Sequence, residues 1–310
     1  MHWVLAATLI CGIMTLSACS NNDNAVKPDT SALDNWQAGR TVTADAVKAF
    51  GGLDKCFAAE PIPDGVWARM QGKTYKENPH IGRDDLRHVR ALHWDYDNQM
   101  HVGEMVCNKV IADRVATILR QLFDAKYHIQ RMLLPDVYDA DDETQMRDNN
   151  SSCFCYRNIA GSTNLSKHAR GLAIDINTLY NPYYKVRDDG TLFIQPATAE
   201  AYCNRDWDFP YKIDRQDLCF RLFTEAGFEW GGDWISPESK RQIELSVAIA
   251  NRIYEILEIK GMTQKDLAQR LGKTETEVSR WLSGTHNLTL STICKISTAL
   301  GEDLVTVPKS

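Results

Sequence analysis

The sequence predicts two folds in series: an α+β domain, a small antiparallel sheet with helices, and then an all-α bundle of short helices. Three observations predict this. Residues 86–94 and 100–108 read as neighbouring strands. Residues 111–125 place Ile111, Val115, Ile118, Leu119 and Leu122 on one helical stripe, the pattern of a helix laid on a core. Past residue 235 the strand patterns give way to four helical patterns in close succession. With 310 residues, 44% hydrophobic and a net charge of -6, the chain has room for about two domains and an ample core. The overall balance of charge gives no sign of nucleic-acid binding.

The elements follow in order. Residues 1–18 are largely apolar and end in Leu16-Ser17-Ala18-Cys19. An apolar part of about 15 residues is short for a spanning helix and right for a signal segment. Leu-Ser-Ala-Cys resembles a bacterial lipobox, which implies a lipoprotein signal peptide over 1–19 with Cys19 as the lipidated residue. It departs from that pattern in having no Lys or Arg ahead of the apolar run. Residues 20–35 read as a polar linker. A mixed α/β pattern starts at Trp36, with a short helix over 44–50 stopped by Gly51-Gly52. Asp139, Asp141, Asp142 and Glu143 are read as a solvated loop in preference to a calcium site. Residues 216–226 read as a helix capped by Gly227.

The chemistry centres on Ser166-Lys167-His168-Ala169-Arg170-Gly171-Leu172-Ala173-Ile174-Asp175. An imidazole nitrogen of His168 and a carboxylate oxygen of Asp175 are ordinary zinc ligands. Gly171 permits a turn that a side chain would resist. Leu172, Ile174 and Ile176 alternate with Ala173 and Asp175, as in a strand with an apolar back and a carboxylate on its front. This motif resembles the signature of the VanY-like zinc D-Ala-D-Ala carboxypeptidases and endopeptidases. His101 to Val106, Asp141-Asp142, the run from Asn149 to Arg157, and Gly227 to Trp234 fall in the order of that family. The resemblance spans about 36–234. It implies an α+β zinc peptidase-like domain acting on peptidoglycan peptides, with His168 and Asp175 as metal ligands. Arg157 and Ser166 then belong to the catalytic set, Arg157 as the cation for the substrate and its oxyanion.

One departure matters. The family follows Trp234 with Asp-x-x-His, the Asp a general base and the His a third zinc ligand. Here the sole later histidine is His286, and no acid-x-x-His occurs downstream. A catalytic zinc takes three protein ligands and a water. The expectation is therefore Zn2+ held weakly or not at all, and an impaired site. His80, His88, His93, His101, Glu229 and Asp233 are the residues available to substitute.

Six cysteines, Cys56, Cys107, Cys153, Cys155, Cys203 and Cys219, lie in the front domain. An even number in an exported chain fits disulfides; six buried thiols are the alternative, and the spacing does not give connectivity.

From 235 the pattern is helical. Ser236-Pro237-Glu238 forms a helix start, and Ile243, Val247, Ala250, Tyr254 and Leu257 share a face up to Gly261. Helices follow over 263–272, 273–284 and 291–300, with a closing strand over 303–307. Thr263-Gln264 to Leu271-Gly272, followed by Val278-Ser279-Arg280-Trp281-Leu282-Ser283-Gly284, resembles the Cro/XRE-type helix-turn-helix of antitoxin-like repressors. By that resemblance 235–310 binds DNA. Gln264 touches phosphate, and Thr274, Glu275, Thr276, Ser279 and Arg280 face bases or backbone. Val278, Trp281 and Leu282 pack the core. Residues 236–310 hold ten Lys plus Arg against nine Asp plus Glu, net +1, so positive charge must cluster locally and a homodimer would add contacts.

The two ends conflict, because a lipid anchor on Cys19 places the chain in the cell envelope and DNA lies in the cytoplasm. The first expectation is an exported, membrane-anchored peptidase-like protein carrying a helix-turn-helix. The alternatives are a cytoplasmic DNA-binding regulator with a non-catalytic peptidase-like domain, and a gene-model junction of two proteins at Trp234/Ile235.

Overall fold

The structure, a computed structural model, describes residues 27–159, 163–187, 192–234, 237–282 and 288–306. Cys19, Ser236 and His286 lie outside the described residues. The elements run α1 (Ser31–Asp34), α2 (Ala44–Phe50), β1 (Ala58–Glu60), α3 (Asp64–Met70), β2 (Leu86–Trp94), β3 (Met100–Asn108), α4 (Ala112–Asp124), α5 (Asp142–Arg147), β4 (Tyr183–Val186), β5 (Leu192–Gln195), α6 (Leu218–Glu225), α7 (Pro237–Ile259), α8 (Gln264–Leu271), α9 (Glu275–Leu282) and α10 (Leu290–Leu300). Among these, none is long and apolar enough to cross a membrane. An α+β arrangement followed by a helical bundle is what the sequence predicts.

The front sheet is antiparallel in the order β1-β2-β3. β2 and β3 pair along their whole length, from Leu86 opposite Asn108 to Trp94 opposite Met100. The turn between them is built by Asp95, whose Oδ1 accepts from the N–H groups of Asp97 and Gln99 at 2.9 and 2.8 Å. The stripe on α4 behaves as expected. Val115, Ile118, Leu119 and Leu122 are buried against Val89, Ala91, Met105 and Cys107.

β1 and β2 occupy one side of the sheet, so β3 has an outer edge. That edge is not left to solvent. Gly39 N–H donates to Val102 O (2.7 Å), and Val102 N–H donates to Arg40 O (2.9 Å). Glu104 N–H donates to Met132 O (2.9 Å), Phe154 N–H to Val106 O (3.1 Å) and Asn108 N–H to Gly171 O (2.9 Å). The even-numbered residues of β3 thus dock four segments that are far apart in sequence. Two of them, around Phe154 and Gly171, carry the candidate site.

Gly171 shows how tight this docking is. It sits at φ +64°, and a Cβ there would lie 2.7 Å from the backbone nitrogen of Asn108. The glycine is thus needed for close approach as well as for the turn.

The expected strand over 172–176 is not formed. The segment makes one antiparallel bridge, Ser152 with Asp175, and Leu172 is 38% exposed. Ile174 and Ile176 do face the core. Alternation alone does not make a strand where no neighbour offers a longer edge. The closing strand is also absent over 303–306; Leu304 instead plugs the helical core, and Val307 lies outside the described residues. The six front-domain cysteines are all buried, with their thiols unlinked.

The helical half closes around Ile253, Ile256, Leu257, Leu267, Ala268, Val278, Leu282, Ile296 and Leu300. Tyr254, expected on the buried face of α7, is 43% exposed, and Ile253 and Ile256 are buried in its place. The reason is that α7 has two partners. Ile243 and Val247 near its start pack with Tyr184, Cys203, Leu192 and Ile194 of the β4–β5 hairpin region. Its later turns belong to the helical core. One straight stripe cannot serve both.

Gly171→Ala should lower stability by about 2–4 kcal/mol, combining a left-handed backbone position with overlap against β3. Urea unfolding measures this, and a loss under about 0.5 kcal/mol would contradict the close approach.

Candidate metal centre and nucleic-acid interface

His168 opens a short 3-10 turn, His168–Arg170, which Gly171 closes in the left-handed conformation. The Ser166 hydroxyl accepts from His168 N–H at 3.2 Å, and Ser166 N–H donates to Arg157 O at 3.1 Å. Ser166 is buried and works as a cap that sets the approach of His168.

The imidazole is fixed by its other nitrogen. Nδ1 lies 2.7 Å from the carbonyl of Cys153. A carbonyl only accepts, so Nδ1 carries the proton and donates. In the neutral ring Nε2 then presents a lone pair, the tautomer that suits a metal ligand. Nε2 faces Asp175 Oδ2 at 3.3 Å. Asp175 is fixed through its backbone: Ser152 N–H donates to Asp175 O (3.0 Å) and Asp175 N–H donates to Ser152 O (2.9 Å). Two adjacent residues, Ser152 and Cys153, therefore hold both donors.

Two lone-pair atoms at this distance repel unless a proton or a cation lies between them. Tetrahedral zinc with bonds of about 2.0–2.1 Å has ligands about 3.3 Å apart, so the pair fits two corners of such a site. The described residues do not supply the other corners. Among the described residues no group of three or more His, Cys, Asp or Glu comes close enough to hold a metal. The residues thus fit an edge of a zinc site and do not fit a complete catalytic one.

The upstream histidines are committed elsewhere. His88 Nε2 is 2.8 Å from buried Glu104, His93 Nδ1 is 2.7 Å from Ile129 O, and His101 Nε2 is 2.8 Å from Asp95. Burial pushes His93 down to about 4, so it is neutral near pH 7. His80 is exposed. Glu229 reaches Lys167 at 3.2 Å, the residue beside His168, and Asp233 pairs with Arg215.

The sequence offers Asp142 both as part of a solvated acidic loop and, with Asp141, as a position in the order of the resembling family, but gives it no partner. In the structure its carboxylate is 14% exposed and meets the Arg157 guanidinium at 2.6 Å. Gln145 Nε2 donates to it at 2.9 Å. Burial pushes its carboxyl up, against the opposing pull of Arg157. Arg157 Nε is buried with no partner, a donor left over beside the pair. Asp141 caps α5, its side chain accepting from Thr144 N–H at 2.7 Å. The one available signal was this N-cap pattern, which marks a helix start in place of a loop.

In the helical half, Thr263 and Asp266 form a reciprocal capping box at the start of α8. Gln264, beside that cap, donates from Nε2 to Tyr254 OH at 3.2 Å. Thr274 and Glu277 exchange the same kind of bonds ahead of α9: Glu277 N–H donates to Thr274 Oγ1 (3.2 Å) and Thr274 N–H to Glu277 Oε2 (3.0 Å). With Lys273 added, these bonds hold Glu277 down at about 2. Thr274 therefore sets where α9 begins. Glu275, Thr276, Ser279 and Arg280 are exposed on α9, while Val278 and Leu282 are buried and Trp281 packs beside them. Of the residues expected to touch DNA, those on α9 share its solvent side.

Comparison with known proteins agrees with this division. The family model for D-alanyl-D-alanine carboxypeptidase matches residues 160–240, which include His168 and Asp175 and run past Trp234 into the first turn of α7. A helix-turn-helix family model matches residues 253–307. No curated protein and no solved structure matches the chain. The chain is thus similar to the D-alanyl-D-alanine carboxypeptidase family over residues 160–240 and to the helix-turn-helix family over residues 253–307.

Proposed function

We propose that this is a cell-envelope peptidase-like protein that recognises peptidoglycan peptides through Arg157 and has lost most of its hydrolytic power. The observation that carries this reading is the His168–Asp175 pair. Nε2 and Oδ2 stand at the spacing of two zinc ligands, with no third donor beside them among the described residues. Two ligands hold zinc weakly, and a missing general base costs about 10²–10⁴-fold in rate. Arg157, oriented by Asp142 and with Nε still open, remains suited to a peptide carboxylate or carbonyl. We place the boundary between the halves at Trp234/Ile235, and the origin of the sequence in a junction of two proteins there. Leu16-Ser17-Ala18-Cys19 supports an exported chain anchored to the membrane through lipid on Cys19.

A second reading rests on a different observation. The helical half has a closed core, two capping boxes and an exposed polar face on α9. Those features support a cytoplasmic DNA-binding regulator, dimeric through this half, whose peptidase-like domain does not catalyse. The net charge of +1 over 236–310 makes Arg280 the contact on which most depends.

Three measurements separate these readings. Dialysed full-length protein should retain well under one zinc per chain, and His168→Ala should remove the remainder; one tightly held zinc per chain would overturn the impaired site. Palmitate fed to cells should label the protein and fail to label Cys19→Ala; a soluble, unlabelled wild type would remove the envelope reading. On the regulator reading, a promoter fragment should shift at low salt, and Arg280→Ala should weaken binding by about 1–3 kcal/mol. Absence of any shift at low salt would eliminate it.

A further inference from the structure

Gln145 lies on α5, one helical turn after Asp142, and is 5% exposed. Its amide meets partners at both ends. Nε2 donates to Asp142 Oδ1 at 2.9 Å. Oε1 accepts from the Ser152 hydroxyl at 3.2 Å and from Asn150 Nδ2 at 3.4 Å. Each contact leads to a different part of the site. Asp142 Oδ2 holds the Arg157 guanidinium at 2.6 Å, and Ser152 exchanges backbone bonds with Asp175. Asn150 bonds Leu133 in both directions, accepting from its N–H and donating to its carbonyl, each at 2.9 Å. Leu133 follows Met132, whose carbonyl accepts from Glu104 N–H on the outer edge of β3.

We propose that Gln145 is a positioning residue for Arg157: it fixes the Asp142 carboxylate and so aims the guanidinium at the carboxylate of a bound peptide. This rests on the reading of Arg157 as the cation that meets the peptide. Asp142 has one oxygen for each neighbour, Oδ2 for Arg157 and Oδ1 for Gln145. A carboxylate paired through one oxygen can still swivel, because its terminal torsion is broad; the second hydrogen bond removes that freedom. The amide can do this because its other end is itself held by Ser152 and Asn150. Among side chains of this length, the amide alone carries a donor and an acceptor on one rigid plane. A carboxylate at position 145 would keep the acceptor for Ser152 and face Asp142 with like charge. A thioether would keep most of the volume and lose both ends.

Full-length Gln145→Glu and Gln145→Met are compared with wild type in two ways, after near-ultraviolet circular dichroism shows that they fold. Calorimetry measures binding of an N-acetylated peptide ending in D-Ala-D-Ala. NMR follows the Arg157 Nε–H signal, identified by its loss in Arg157→Lys. Both variants should bind the peptide roughly tenfold more weakly. The Arg157 Nε–H, buried in wild type, should shift and exchange faster with water in both. A role in packing alone predicts that Gln145→Met keeps wild-type affinity and an unmoved signal; that result in the folded variant overturns the proposal. If neither variant folds, the wild-type Gln145 amide decides. One of its Nε2 protons should exchange slowly, and both should shift with Arg157 Nε–H when peptide is added. Rapid exchange, or an amide that stays still while Arg157 responds, overturns the proposal. If wild type takes up no peptide while the Arg157 signal moves in the variants, Gln145 still positions Arg157 and the peptide reading is what fails.

Discussion

The outer edge of β3 is the constraint on which the front half depends. Val102, Glu104, Val106 and Asn108 turn their backbone groups away from β2, and an exposed edge of that kind is unsatisfied unless something docks on it. The chain answers with short segments around Gly39, Met132, Phe154 and Gly171, each bonded at 2.7–3.1 Å. None is a strand of the sheet, yet together they finish it. His168 and Asp175 inherit their placement from this edge: the Phe154 segment carries the carbonyl that orients one, and the Gly171 turn separates the two in sequence.

The electrostatics of the centre follow from that placement. A ring with its proton committed to Cys153 O meets a carboxylate at 3.3 Å. Such a pair is stable when something positive lies between them. Nearby, Asp142 and Arg157 neutralise each other in a half-buried setting, where an isolated charge would be costly. The two pairs together describe a polar niche whose electrostatic demands are only partly met from within the described chain.

Much of this was legible in sequence because the signals are local. α2, β2 and β3 start and end where alternation and glycine punctuation place them, and the buried stripe of α4 matches its spacing. The nature of the two halves was also legible, since both motifs are contiguous. What escaped was set by distant neighbours. Alternation over 172–176 promised a strand, but only Ser152 is there to pair with it. Asp142 looked like one acid among several until Arg157 was brought to it across the fold. Gly171 was legible as a turn, whereas its squeeze against Asn108 depends on a strand more than sixty residues earlier, as the 62-residue separation of the nearby Asn108–Arg170 bond illustrates. Tyr254 lies outside the buried face where a single periodicity places it, because α7 changes partners midway.

That change of partners has a mechanical meaning. α7 is one unbroken rod of 23 residues, seated at one end in the hairpin core and at the other in the helical core. A rod clamped at both ends transmits twist and tilt, so a rearrangement around Tyr184 and Cys203 is felt by the helices that follow. Cutting the chain just before this rod would strip Tyr184, Cys203, Leu192 and Ile194 of their cover and leave an oily scar on the front fragment.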